Sequence, residues 1–135
     1  MKTRIAENGI LKNSFVDGIG IRTVIFTQGC KHNCKGCHNK NTHNMKGGLI
    51  VENKDIINVI SKELKYIDGV TFSGGEPMLQ YKNLIEIAEF AKENKKDIWC
   101  YTGFTFEYIM ERYEQYKEFM CNIDVLVDGK FILEQ

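Results

Sequence analysis

One proline and one tryptophan occur in the sequence, and neither basic nor acidic residues are in excess, 18 of each cancelling. No apolar run reaches the roughly 18 residues that a membrane-spanning helix needs. Each shortage excludes something. A lone Pro77 leaves no proline-rich linker, and with no internal repeat or low-complexity stretch the expectation is one continuous domain over residues 1–135. Balanced charge removes the bulk electrostatic reason to expect nucleic acid or an anionic membrane as partner. Residues 1–8 carry no apolar stretch resembling a signal peptide, which points to a cytoplasmic protein. The five cysteines are odd in number and three fall within eight residues, so a disulfide framework is a poor reading and ligand cysteines fit better.

Beyond these absences the chain alternates. Residues 23–27, 70–73, 98–102 and 123–127 are short and rich in β-branched and aromatic residues, and are expected to be parallel strands. Between them Ile56, Ile57, Ile60, Leu64 and Ile67 recur at helical spacing, as do Leu84, Ile87, Ala88 and Ala91, and then Phe106, Ile109, Met110, Tyr113 and Met120. An extended piece over residues 4–13 is expected ahead of them, with a small hairpin through Asn8-Gly9. The grammar is α/β. Each expected strand runs into a polar or glycine-rich segment: residues 29–38, Gly74-Gly75-Glu76-Pro77, Gly103, and Asp128-Gly129. In parallel α/β sheets such segments share one rim, where ligands bind.

Cys30, Cys34 and Cys37 have the spacing CxxxCxxC, short enough for one loop to wrap three thiolates around an inorganic centre. Thiolates are the usual ligands of iron-sulfur clusters, and a four-iron cubane held by three of them keeps one iron open for a substrate. The alternatives are a zinc site completed by His32 or His38, or three reduced thiols. Zinc is disfavoured because structural sites usually draw ligands as two separated pairs, and no second CxxC or HxxxH occurs here. Cys100 and Cys121 fall on an expected strand and at a helix end, where a small buried hydrophobe is the default.

These residues resemble the radical S-adenosylmethionine superfamily, and most closely its anaerobic ribonucleoside-triphosphate reductase activating branch. The resemblance is carried by Ser14-Phe15-Val16-Asp17-Gly18-Ile19-Gly20-Ile21-Arg22-Thr23, the Gly29 to Asn39 segment, Phe72-Ser73-Gly74-Gly75-Glu76-Pro77, Tyr101-Thr102-Gly103-Phe104, and residues 124–131. It implies that Cys30, Cys34 and Cys37 hold a [4Fe-4S] cluster whose fourth iron takes the amino and carboxylate groups of S-adenosylmethionine. It also implies that backbone around Gly36, Cys37 and His38 lies against the adenine, and that Gly74, Gly75 and Glu76 meet the methionine amino group. Asp17 and Arg22 are read as loop charges ahead of any direct role.

The implied activity is reductive cleavage of S-adenosylmethionine, giving a 5′-deoxyadenosyl radical that abstracts hydrogen from a glycine on the reductase large subunit. A flavodoxin or similar protein is the implied electron donor. Because a partner's loop must enter and about four strands cannot close a barrel, the expected fold is an incomplete (β/α) barrel with a mostly parallel open sheet. Relatives of this branch usually continue for some tens of residues beyond the Asp-Gly-Lys-Phe segment. The chain ends at Gln135, so the expectation is one radical S-adenosylmethionine domain without that C-terminal segment, truncated or by nature. Rival readings are an activase of pyruvate formate-lyase or another glycyl-radical enzyme, a small-molecule enzyme of the deazaguanine-forming kind, and a zinc-binding interaction module.

Overall fold

The computed structural model describes residues 1–14, 18–29 and 48–129. Six strands are present among them: β1 (Lys2–Ser14), β2 (Arg22–Thr27), β3 (Leu49–Glu52), β4 (Gly69–Gly74), β5 (Asp97–Tyr101) and β6 (Val125–Val127). They form one open sheet in the order β3-β1-β2-β4-β5-β6. Strands β2, β4, β5 and β6 run parallel, as expected, while β1 pairs antiparallel with both β2 and β3. The central strands β2 and β4 are buried along most of their length. Continuous β-branched runs such as Thr23-Val24-Ile25 suit that position because both faces of an inner parallel strand are covered.

Helices α1 (Asn53–Glu63), α2 (Tyr81–Glu93), α3 (Phe106–Glu111) and α4 (Tyr113–Met120) connect the strands. Ile56 and Ile60 of α1, Leu84, Ile87, Ala88 and Ala91 of α2, and Ile109 and Phe119 of α3 and α4 are fully buried against Val70, Phe72, Ile98 and Cys100. Each large aliphatic or aromatic side chain so buried contributes about 1.5–3 kcal/mol of transfer free energy. Phe72 and Phe119 meet with ring centroids 6.0 Å apart. Among the described residues no helix is long and apolar enough to cross a membrane.

Three expectations need correction. Asn8-Gly9 does not turn a hairpin: β1 is one strand, in which Ile5 pairs with Thr27 and Ile10 with Ile25, so five steps along β1 match two along β2. Asn8 at φ 53° absorbs the surplus as a bulge. The flanks pair with β3 and β2 rather than with each other, which suits a chain whose isolated hairpin would be marginal. Second, the periodic pattern from Phe106 to Met120 is two helices broken at Arg112, whose φ and ψ are −116° and 31°. The break turns Tyr116 and Phe119 inward and leaves Phe106 and Tyr113 exposed. Arg112 stabilises it, its guanidinium 3.6 Å from the Tyr108 ring centroid while Nη1 donates to the Tyr108 carbonyl. Third, Ile67 joins the core from beyond the end of α1 rather than from its helical face.

Arg22 is completely buried, and it lies at the start of β2, at the opposite end of the strand from the glycine-rich rim. Its Nε donates to Thr71 Oγ1 (2.7 Å), Nη1 to the Ile19 carbonyl (2.9 Å) and Nη2 to the Val70 carbonyl (2.9 Å). Nη2 also pairs with Asp97 Oδ1 at 2.7 Å. A Cβ on Gly69 would strike both partners of this ion pair, so glycine at the start of β4 leaves the room the pair needs. The loop-charge reading of Arg22 is corrected: the residue is neither on a loop nor solvated, but is an internal fastening between strand beginnings.

Candidate functional site

Because β2, β4, β5 and β6 are parallel, their C-terminal ends lie along one rim. Thr27 pairs with Gly74, and Tyr101 with Val127. The segments that leave these ends are joined by hydrogen bonds. The Gly75 amide donates to the Thr27 carbonyl (2.8 Å), and the Glu76 amide donates to the Gly29 carbonyl (2.7 Å). Further along, the Thr102 amide donates to the Val127 carbonyl and the Gly129 amide to the Phe104 carbonyl, both at 2.9 Å. The Asp128 carboxylate accepts from the Phe106 amide at 2.7 Å. All four post-strand segments singled out in the sequence therefore meet, in their described parts, at one place.

Glycine is required where the first of these contacts forms. Gly74 has φ +98°, and a Cβ there would fall 2.5 Å from the Thr27 carbonyl oxygen. The backbone of residues 74–76 can thus turn off the end of β4 directly beside β2. Pro77 then opens a short 3-10 turn, Pro77–Gln80, which runs into α2. The Gln80 side chain fastens that turn to the first strand, accepting from the Arg4 amide and donating to the Arg4 carbonyl at 2.8 Å each.

The Glu76 side chain has no solvent exposure. Its Oε2 accepts from the Met78 amide (2.9 Å) and the Thr102 hydroxyl (2.6 Å), and its Oε1 accepts from the Gly103 amide (2.6 Å). A buried carboxylate is costly without such donors, and these supply the compensation. Sequence reasoning placed Glu76 at the site but missed the pairing with Thr102 and Gly103. The available signal was positional: β5 follows β4, and Thr102-Gly103 leaves it at the height where Gly75-Glu76 leaves β4.

Of the sequence-selected site residues, Gly74, Gly75 and Glu76 stand together at this rim. Cys30, Cys34, Gly36, Cys37 and His38 lie outside the described residues, as do His32 and Asp17. Gly29, the residue before Cys30, is held by the Glu76 amide, so the cysteine segment departs from the rim next to Gly74-Gly75-Glu76. Among the described residues no group of three or more His, Cys, Asp or Glu is placed to hold a metal ion. Cys100 is buried in the core and Cys121 is exposed near the end of α4. Desolvation, and then the nearby Glu76 charge, push the Cys100 thiol well above its ordinary value of 9.0. It therefore stays protonated and unreactive at neutral pH. Native alkylation at pH 8 followed by peptide mapping is expected to label Cys121 and to leave Cys100 unmodified until denaturant is added.

The donor set fits a four-iron cluster: three thiols in one short segment, departing from a rim where buried hydrogen bonds hold the neighbouring loops. Comparison with known proteins agrees. A family model described as a 4Fe-4S single cluster domain matches residues 16–135. The anaerobic ribonucleoside-triphosphate reductase-activating protein of Enterobacteria phage T4 is 38% identical over 125 residues, covering 87% of this chain and 75% of that protein. Its namesake in Haemophilus influenzae is 35% identical over 127 residues, covering 89% and 80%. The pyruvate formate-lyase-activating enzyme of Clostridium pasteurianum is 46% identical over a shorter stretch of 82 residues, 58% of this chain and 34% of that protein.

Proposed function

The chain belongs to the 4Fe-4S single cluster domain family and to the anaerobic ribonucleoside-triphosphate reductase-activating proteins, and on that basis we propose that it activates an anaerobic ribonucleotide reductase by placing a glycyl radical on its large subunit. It is a cytoplasmic radical S-adenosylmethionine enzyme. The observation that carries the reading is the junction at Glu76, whose amide ties the start of the cysteine segment to the Gly74-Gly75 turn.

Cys30, Cys34 and Cys37 would hold three irons of a [4Fe-4S] cluster, leaving the fourth to the amino and carboxylate groups of S-adenosylmethionine. When bound, the cluster would supply the one electron, taken from an external reductant, that reductive cleavage of S-adenosylmethionine requires. The protein's own part is placement. Backbone near Gly36, Cys37 and His38 receives the adenine, and the Gly74-Gly75-Glu76 turn receives the methionine amino group through its carbonyls or carboxylate. Since the Glu76 carboxylate already accepts from Met78, Thr102 and Gly103, and its carbonyl from the Leu79 amide, the Gly74 and Gly75 carbonyls are the proposed acceptors.

The six-stranded sheet is open, with short edges at β3 and β6. It is best read as an incomplete (β/α) barrel whose unclosed side admits the reductase's glycine loop. On the sheet face away from the hydrophobic core, Phe26, Ser73, Trp99 and Tyr101 are half-buried, and the Trp99 and Tyr101 rings stack at 6.5 Å. These residues are suited to line that opening. A flavodoxin-like protein is the proposed electron donor.

The local similarity to a pyruvate formate-lyase-activating enzyme sustains one rival client. Incubating the reduced, reconstituted protein and S-adenosylmethionine with each client separately decides between them. A stable organic radical, read by electron paramagnetic resonance, is expected on the anaerobic reductase and not on pyruvate formate-lyase. The reverse pattern would reassign the client.

A further inference from the structure

We propose that Thr102 is a positioning residue for S-adenosylmethionine: through the Glu76 carboxylate its hydroxyl holds the Gly74-Gly75 backbone in the orientation that receives the methionine amino group. The inference rests on the function proposed above and gives a role to Thr102, 26 positions away from Glu76, which the resemblance marks only as part of the Tyr101-Thr102-Gly103-Phe104 segment.

Gly74 and Gly75 have no side chains to pack, so their peptide planes are set by what holds the ends of the turn. At one end the Gly75 amide is bound to the Thr27 carbonyl. At the other end stands Glu76, fixed by its amide to Gly29 and by its carboxylate to Met78, Thr102 and Gly103. The Met78 contact belongs to the same turn and moves with it. The contacts to Thr102 and Gly103 reach another strand end, and they alone of the three tie the carboxylate to a different element of the sheet. Thr102 is suited to this task because it is itself immobilised. It is 6% exposed, its amide donates to Val127, and its hydroxyl accepts from the Phe104 amide (3.1 Å) while donating to Glu76 (2.6 Å). Short hydrogen bonds to a carboxylate are the strong ones, and geometry held by them is costly to relax.

Thr102→Val keeps the shape and removes the hydroxyl. In the anaerobically reconstituted full chain it is expected to bind iron as the wild type does, and to raise the KM for S-adenosylmethionine in 5′-deoxyadenosine formation about tenfold. The expected kcat stays within about twofold, since the contact is one made equally before and during the reaction. Thr102→Ser, which restores the donor, is expected to recover the wild-type KM. If the valine variant does not fold, Thr102→Ala makes the same comparison without a methyl group against the carboxylate. A wild-type KM in the variant lacking the hydroxyl, whatever its melting temperature, would overturn the proposal, as would a serine variant equally impaired. A wild-type protein that forms no 5′-deoxyadenosine would instead overturn the function on which the proposal rests.

Discussion

Cys34→Ala is expected to retain at most traces of iron after anaerobic reconstitution with iron and sulfide, and to form no 5′-deoxyadenosine. Two remaining thiolates cannot hold a cubane that must also keep one iron open. The loss should exceed the roughly 10- to 100-fold that altering an outer-shell partner of a metal ligand brings. Cys121→Ser serves as the control: this exposed cysteine lies near the end of α4, and its replacement should change neither iron content nor activity. Iron and sulfide assays on both variants check the pair. A Cys34→Ala variant with full iron would dismiss the three-cysteine assignment, and Cys30 and Cys37 are expected to behave as Cys34 does.

The second large effect concerns stability rather than chemistry. Arg22→Ala should cost about 3 kcal/mol, because breaking a buried, hydrogen-bonded ion pair strands its partners. The groups that lose a donor are the Val70 carbonyl and the Thr71 hydroxyl, in buried bonds, and the more exposed Ile19 carbonyl and Asp97. Asp97 is half-exposed and can be rehydrated, so the buried acceptors and the cavity account for most of the loss. Urea unfolding of the apoprotein, followed by circular dichroism, should show a lower midpoint at an unchanged slope. Arg22 lies five residues before Thr27, about 17 Å along the strand at 3.3 Å per residue. The folded, cluster-loaded variant should accordingly keep its KM for S-adenosylmethionine. A raised KM at wild-type stability would return Arg22 to the site.

The parallel part of the sheet was legible because its strands are β-branched runs ending in glycine or polar turns, and that composition belongs to inner strands. Strand β3 was not legible. Leu49 and Ile50 are exposed, and a four-residue edge strand carries too little periodicity to be told from a loop. At Asn8-Gly9 a positive φ is found at Asn8 alone, whereas a two-residue type I′ hairpin would need it at Gly9 as well. The pairing of the flanks with β2 and β3 likewise marks a bulge rather than a hairpin. The continuous pattern from Phe106 to Met120 hid a break because Arg112 is an ordinary helix former, and its departure is secured by a contact with the Tyr108 ring.

At the site, Gly74, Gly75 and Glu76 could be selected because glycine pairs and a carboxylate beyond a strand end have few structural reasons to occur together. Thr102 and Gly103 were marked only as part of a post-strand segment, with nothing to show that they clamp Glu76. Threonine in or beside a strand is common, and its partner becomes visible only once β4 and β5 are known to be neighbours.

Anaerobic reconstitution of the wild-type chain, followed by dithionite and S-adenosylmethionine, tests the central claim most directly. About four irons and four sulfides per chain, with 5′-deoxyadenosine and methionine formed in equal amounts, is the predicted result. A colourless protein containing one zinc, no sulfide and no 5′-deoxyadenosine would contradict it.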